Sequence, residues 1–76
     1  MSFAENLVYL RQHYGVTQEG LAEQLGVSRQ TVSKWEAGTN YPEMDKLLAL
    51  CDLFHTNLDD LMRGSVHVTK ENDTER

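Results

Sequence analysis

The stretch "TQEGLAEQLGVSRQTVSKWEAG", residues 17–38, decides the fold. It holds two short apolar patterns with helical spacing, separated only by Gly26, Val27 and Ser28. Thr17 suits an N-cap, because its hydroxyl can accept from the unpaired amides of a helix start. The helix it opens, Gln18 to Leu25, turns Leu21, Ala22 and Leu25 to one side. Gly26 ends that helix and Val27 turns inward as an apolar pin. Ser28 then caps a second helix, Arg29 to Ala37, which Gly38 stops. A connection of three or four residues containing Gly sets two helices at a steep angle, the helix-turn-helix arrangement. Ala22 is small where the two would cross.

The polar side of the second helix is unusual for this chain. At about 100° per residue, Arg29, Ser33, Gln30 and Lys34 fall within one arc of about 140°. Thr31, Val32 and Trp35 lie on the opposite side, and no acid occurs before Glu36 at the edge. The whole chain has seven Lys and Arg against twelve Asp and Glu, a formal net charge of −5. That balance argues against a grip on nucleic acid through bulk charge. Residues 27–41 nevertheless hold Arg29 and Lys34 against Glu36 alone, a local sum of +1. A polyanion would have to meet this face and avoid the acids of residues 43–63. An exposed polar helix face is ordinarily just solvated; the two-helix spacing is what gives this one a direction. An α-helix fits the B-DNA major groove, where Arg pairs with guanine and Gln with adenine through two hydrogen bonds each. Trp35 sits beside Val32, which makes it a core residue rather than a stacking platform for bases.

The rest of the chain supplies the support. Ser2 to His13 reads as a first helix with Phe3, Leu7, Leu10 and Tyr14 on one face, broken at Gly15. After "TNYP", a fourth helix from Met44 to Phe54 is expected to bury Leu47, Leu48, Leu50, Cys51 and Phe54. Asn57 caps a last short helix, Leu58 to Met62. The expected class is all-α, a compact five-helix bundle over residues 1–63. Residues 64–76, "GSVHVTKENDTER", are polar and aperiodic and read as a disordered tail or linker.

With 76 residues, 39% of them hydrophobic, the chain suits one small domain and no large enclosed active site. No apolar run approaches the roughly 18 residues of a membrane span. The N-terminus lacks the pattern of a secretory signal, so a cytoplasmic protein is expected. The single cysteine, Cys51, excludes an internal disulfide and a cysteine-based zinc site. His13, His55 and His67 are scattered, so no metal site is expected. No nucleophile, base and orienting partner can be assembled, so neither an enzyme nor a cofactor is expected.

Residues 3–63 resemble the helix-turn-helix domains of the lambda repressor and Cro type, also called the xenobiotic response element type. The resemblance rests on "TQEGLAEQLGVSRQTVSKWEAGTNYP" followed by "LLALCDLFHTNLDDLM". It implies a five-helix bundle that binds double-stranded operator DNA, generally as a homodimer on a palindromic site. It also implies a bacterial or phage transcriptional regulator, more often a repressor than an activator. By position, the resemblance makes Ser28, Arg29, Gln30, Ser33 and Lys34 the base-reading and groove-edge residues. Gln18 becomes a phosphate contact that braces the reading helix, with Thr17 counted beside it. Thr39, Asn40 and Tyr41 fall in the loop that follows the phosphate backbone. Arg11 and Glu36 match a partly buried salt bridge tying the first helix to the third. Two positions depart from the pattern: Gly20, where a capping Glu is usual, and Glu43, where a Ser cap is frequent.

Two other readings share the fold. An antitoxin or adaptor would bind a protein partner through the acidic fourth and fifth helices, with weak DNA binding, and the net charge favours it. Alternatively, the chain is the N-terminal DNA-binding domain of a larger sensor, with the tail as linker. Leu58, Leu61 and Met62 read either as core or as part of a dimer seam.

Overall fold

A computed structural model of the chain describes residues 2–64. Five helices follow one another: α1 (Phe3–His13), α2 (Gln18–Leu25), α3 (Arg29–Ala37), α4 (Met44–Phe54) and α5 (Leu58–Arg63). Of the tail expected at residues 64–76, residues 65–76 lie outside the described residues.

Local chemistry places most of the helix starts. Ser2, Thr17, Ser28 and Asn57 each accept a backbone N–H from the residue three positions on. Such a bond satisfies one of the amides a helix start leaves unpaired. Glu43 makes no side-chain cap bond at the start of α4. That start rests on backbone alone, with the Lys46 and Leu47 amides donating to the Glu43 carbonyl. Gly26 and Gly38 end α2 and α3 at φ 71° and 81°, a left-handed conformation that costs glycine no Cβ clash. His55 takes the same role after α4 at φ 56° without being glycine.

The core is one cluster fed by every helix. Phe3, Leu7 and Leu10 enter from α1, Leu21, Ala22 and Leu25 from α2, and Val32 and Trp35 from α3. Leu47, Leu50, Cys51 and Phe54 enter from α4, and Leu61 from α5. Full burial of one such leucine contributes about 1.5–3 kcal/mol. α1 packs on both α3 and α5, α2 packs on α3, and α4 packs on α5. α3 therefore rests mainly on α1 and α2 and keeps Arg29, Gln30 and Lys34 exposed. Val27 is half-buried against the core, and Leu58 and Met62 pack on it from α5.

Besides α5 running one residue further than expected, to Arg63, four details differ from the sequence-based expectation. Ser2 is the cap of α1 rather than its first residue. Tyr14 lies past the end of α1 and is 40% exposed, its ring stacked 5.5 Å from that of Phe54. Leu48 is 51% exposed, because the buried face of α4 is already filled by Leu47, Leu50, Cys51 and Phe54. Gly64, placed in the tail, belongs to the folded unit: its carbonyl accepts from Asn6 Nδ2 at 2.9 Å.

Among the described residues, Asn6 is the one polar side chain fully inside the core, at 0% exposure. Its amide nitrogen lies within hydrogen-bond distance of the carbonyls of Asp60, Leu61 and Gly64, at 3.1, 3.0 and 2.9 Å. These include carbonyls that the end of α5 leaves without intrahelical partners. Its Oδ1 is buried and has no partner. One side chain of α1 thus ties down the C-terminal end of the domain.

Candidate nucleic-acid interface

The candidate surface is built on α3 and the two segments that flank it. At the start of α3 the Thr31 amide donates to Ser28 Oγ at 3.1 Å. The two hydroxyls, Ser28 Oγ and Thr31 Oγ1, lie 2.9 Å apart in a further hydrogen bond. No acid stands in the first turn, and Lys34 stands in the last. Cations near a helix C-terminus are favoured by the helix dipole. Ser28, Arg29, Gln30 and Lys34 are exposed, while Ser33 is half-buried. Val32 and Trp35 are buried on the opposite side, at 0% and 3%.

Glu36 is the only acid of α3, and the fold withdraws it. Arg11 Nε donates to Glu36 Oε2 at 2.6 Å, and Arg11 Nη2 donates to Oε1 at 3.2 Å. This two-point geometry fixes orientation as well as charge. Gln18 Nε2 adds a third bond to Oε1 at 2.9 Å. The Glu36 side chain is 7% exposed and the Arg11 side chain 15%. Arg11 also donates through Nη1 to the Val16 carbonyl at 2.9 Å, which joins the α1–α2 turn to the network. One carboxylate thereby links α1, α2 and α3, and the exposed arc of α3 is left with cationic and neutral groups.

The remaining predicted residues flank this arc. Thr17 is exposed and caps α2, its Oγ1 accepting from the Gly20 amide at 2.9 Å. Gly20 has no side chain to return the bond, and a Cβ there would lie 3.1 Å from Thr17 Oγ1. Gln18 is half-buried and engaged with Glu36. Thr39, Asn40 and Tyr41 are exposed after α3, and Thr39 Oγ1 donates to the Lys34 carbonyl at 3.1 Å. Tyr41 is 65% exposed, with its ring 5.6 Å from that of Phe3. It lies beside the start of α1 and also lines one cleft with Thr31 and Trp35 of α3.

Thr31 is the functional candidate that helical angles overlooked. Its place opposite the polar arc left it out of both the reading face and the buried stripe, yet it is half-buried and bonded to the Ser28 hydroxyl. The available signal was the Ser-x-x-Thr spacing across the helix start, which puts two hydroxyls within reach. Among the described residues no group of three or more His, Cys, Asp and Glu is placed to hold a metal ion. None of the described helices is long and apolar enough to cross a membrane.

Comparison with known proteins agrees with this geometry. The helix-turn-helix family model matches residues 7–61. The HTH-type transcriptional activator BcrR of Enterococcus faecalis is 45% identical over 69 residues, 91% of this chain and 34% of that protein. The uncharacterized HTH-type transcriptional regulator YgzD of Bacillus subtilis (strain 168) is 38% identical over 52 residues, 68% of this chain and 79% of that protein. The chain thus spans about a third of BcrR and most of YgzD. Among solved structures, the P22 c2 repressor in complex with a synthetic operator superposes with a TM-score of 0.79 at 28% identity. That match covers 86% of this chain and 98% of the repressor chain.

Proposed function

The chain belongs to the helix-turn-helix family, in its lambda repressor and Cro branch, and on that premise we propose that it is a sequence-specific double-stranded DNA-binding transcriptional regulator. α3 enters the major groove. Arg29 and Gln30 meet base edges there, Ser28 and Ser33 meet the groove edge, and Thr17, Gln18, Lys34, Thr39, Asn40 and Tyr41 meet the phosphate backbone. Each two-point contact to a base contributes about 1–3 kcal/mol of discrimination. Two copies bind a palindromic operator with their α3 helices about 34 Å apart. Occupancy of that site then governs transcription from it.

The observation that carries this reading is the treatment of Glu36. A chain of net charge −5 keeps one helix face free of acid and folds that helix's only carboxylate into a bond network with Arg11 and Gln18. A face that only needed solvation would gain nothing from this. The names of the similar proteins, BcrR as an activator and P22 c2 as a repressor bound to operator, favour the same reading.

The test is selection from a random duplex pool, followed by anisotropy titration of the recovered duplex between low and physiological salt. An enriched palindrome, with binding weakened by Arg29→Ala and preference altered by Gln30→Ala, is the expected result. Weak binding confined to low salt, with no enriched site, would reject it. That outcome would favour a protein partner on the acidic α4 and α5.

A further inference from the structure

We propose that Thr31 is a positioning residue for DNA recognition, fixing the Ser28 hydroxyl as a hydrogen-bond donor; this rests on the DNA-binding reading above. A hydroxyl has one proton to donate and two lone pairs to accept with. Ser28 Oγ already accepts the Thr31 amide at 3.1 Å. The Thr31 hydroxyl lies 2.9 Å away and can give its proton to the second lone pair. Ser28 is then saturated as an acceptor, and its own proton has no place inside the cap. With Thr31 as the donor, that proton is left free to reach outward from an exposed residue at the first turn of α3.

The caps of α1 and α5 do not offer this, and in α2 the Thr17 hydroxyl meets only the Gly20 amide, with no second hydroxyl to fix its proton. In α1 the Ser2 hydroxyl and amide both donate to Glu5 Oε1, at 3.3 and 3.0 Å, so the hydroxyl proton is used internally. In α5 the cap is Asn57, whose Nδ2 donates to Asp60 Oδ2 at 3.1 Å. Both of these caps have a carboxylate as the partner three residues on. α3 has a neutral hydroxyl there instead, which can feed a proton to Ser28 rather than take one. A carboxylate at position 31 would consume the Ser28 proton and add negative charge to the candidate DNA face.

The ligand chemistry is a hydrogen-bond acceptor on DNA, either a phosphate oxygen or a base-edge acceptor in the major groove. A chain running from Thr31 to Ser28 to an anionic or carbonyl oxygen polarises in one direction, which strengthens each bond. A base-edge donor such as the cytosine amino group would instead require Ser28 to accept, with the bond to Thr31 reversed so that Ser28 donates.

The experiment compares Thr31→Val, which keeps the branched shape without the hydroxyl, with Thr31→Ser, which keeps the hydroxyl. Both are titrated with the duplex recovered by pool selection, alongside Arg29→Ala, and melting temperatures are measured in parallel. Thr31→Val is expected to weaken binding about three- to tenfold, with Thr31→Ser close to the parent and both variants folded. Weakening that is uniform across duplex sequences identifies a phosphate acceptor; an altered preference at one base pair identifies a base edge. If Thr31→Val binds like the parent while Arg29→Ala has lost affinity, the inference about Thr31 is wrong and the DNA reading stands. If neither substitution changes binding, both are wrong.

Discussion

Arg11 and Glu36, 25 residues apart in sequence, meet through two hydrogen bonds of 2.6 and 3.2 Å. Their side chains are only 15% and 7% exposed. A buried ion pair contributes little net stability compared with an apolar pair of the same shape, but breaking it from one side is costly. Arg11→Met leaves Glu36 withdrawn from water with Gln18 as its remaining side-chain partner. The expected loss is about 2–4 kcal/mol, below the fully buried case because some solvent reaches the pair. Urea unfolding monitored by Trp35 fluorescence checks this. A loss under 1 kcal/mol would mean that Glu36 simply turns to solvent.

Asn6 offers a sharper contrast. Asn6→Ala removes the amide that lies against three carbonyls at the end of α5. The expected cost is about 2–3 kcal/mol, from carbonyls left unpaired and a small void. Asn6→Asp keeps the shape but sets a carboxylate against those carbonyls, so it is expected to be worse than alanine at neutral pH. Ranking the two variants by urea midpoint is the measurement, and the reverse order would exclude the bonding scheme.

Lys34 and Arg29 are both exposed on α3, yet different signatures are expected of them. Lys34→Ala should weaken binding to all duplexes alike and lower the salt slope by about one unit. Arg29→Ala should cost about 1–3 kcal/mol and relax preference at one base pair. Titrating each variant at several salt concentrations separates them. Identical signatures would mean that both residues contact only phosphate.

Glu5 gives the fold a small acid sensitivity. Bonds from the Ser2 amide and then the Ser2 hydroxyl hold its carboxyl below the ordinary value of 4.5. A carboxyl depressed in the folded state stabilises fully above its unfolded value, and that contribution is lost as pH falls through the folded value. Glu5→Gln should therefore reduce the decline in stability on acidification below about pH 4.5 and leave the pH 7–9 range flat. Parallel unfolding curves for parent and variant across pH 3–5 would contradict the capping assignment.

Helix number and nearly every boundary were legible because caps and stops are local: Thr17, Ser28, Gly26 and Gly38 act within one turn of where they stand. The buried stripe of α3 was equally legible, since Val32 and Trp35 follow from helical angles alone. Asn6 was not. Apolar periodicity passes over a polar residue, and the carbonyls that justify its burial lie 54 to 58 positions away. Leu48 was misjudged for a related reason. "LLALC" is apolar around more than half the helix, and only packing determines which leucine stays outside. In the candidate site, composition identified the acid-free arc of α3. The part Thr31 plays with Ser28 depends on how two hydroxyls share their protons, which side-chain type and angle do not express.

The withdrawal of Glu36 also bears on how such a domain can diversify. Arg29, Gln30 and Lys34 carry no core packing, and no side-chain bond to another helix holds them. The parts that hold α3 in place are Val32, Trp35, Glu36 and the two left-handed glycines at its borders. The outward positions can therefore be exchanged without redesigning the scaffold. A lineage can move from one target to another by a few substitutions, each close to neutral for folding.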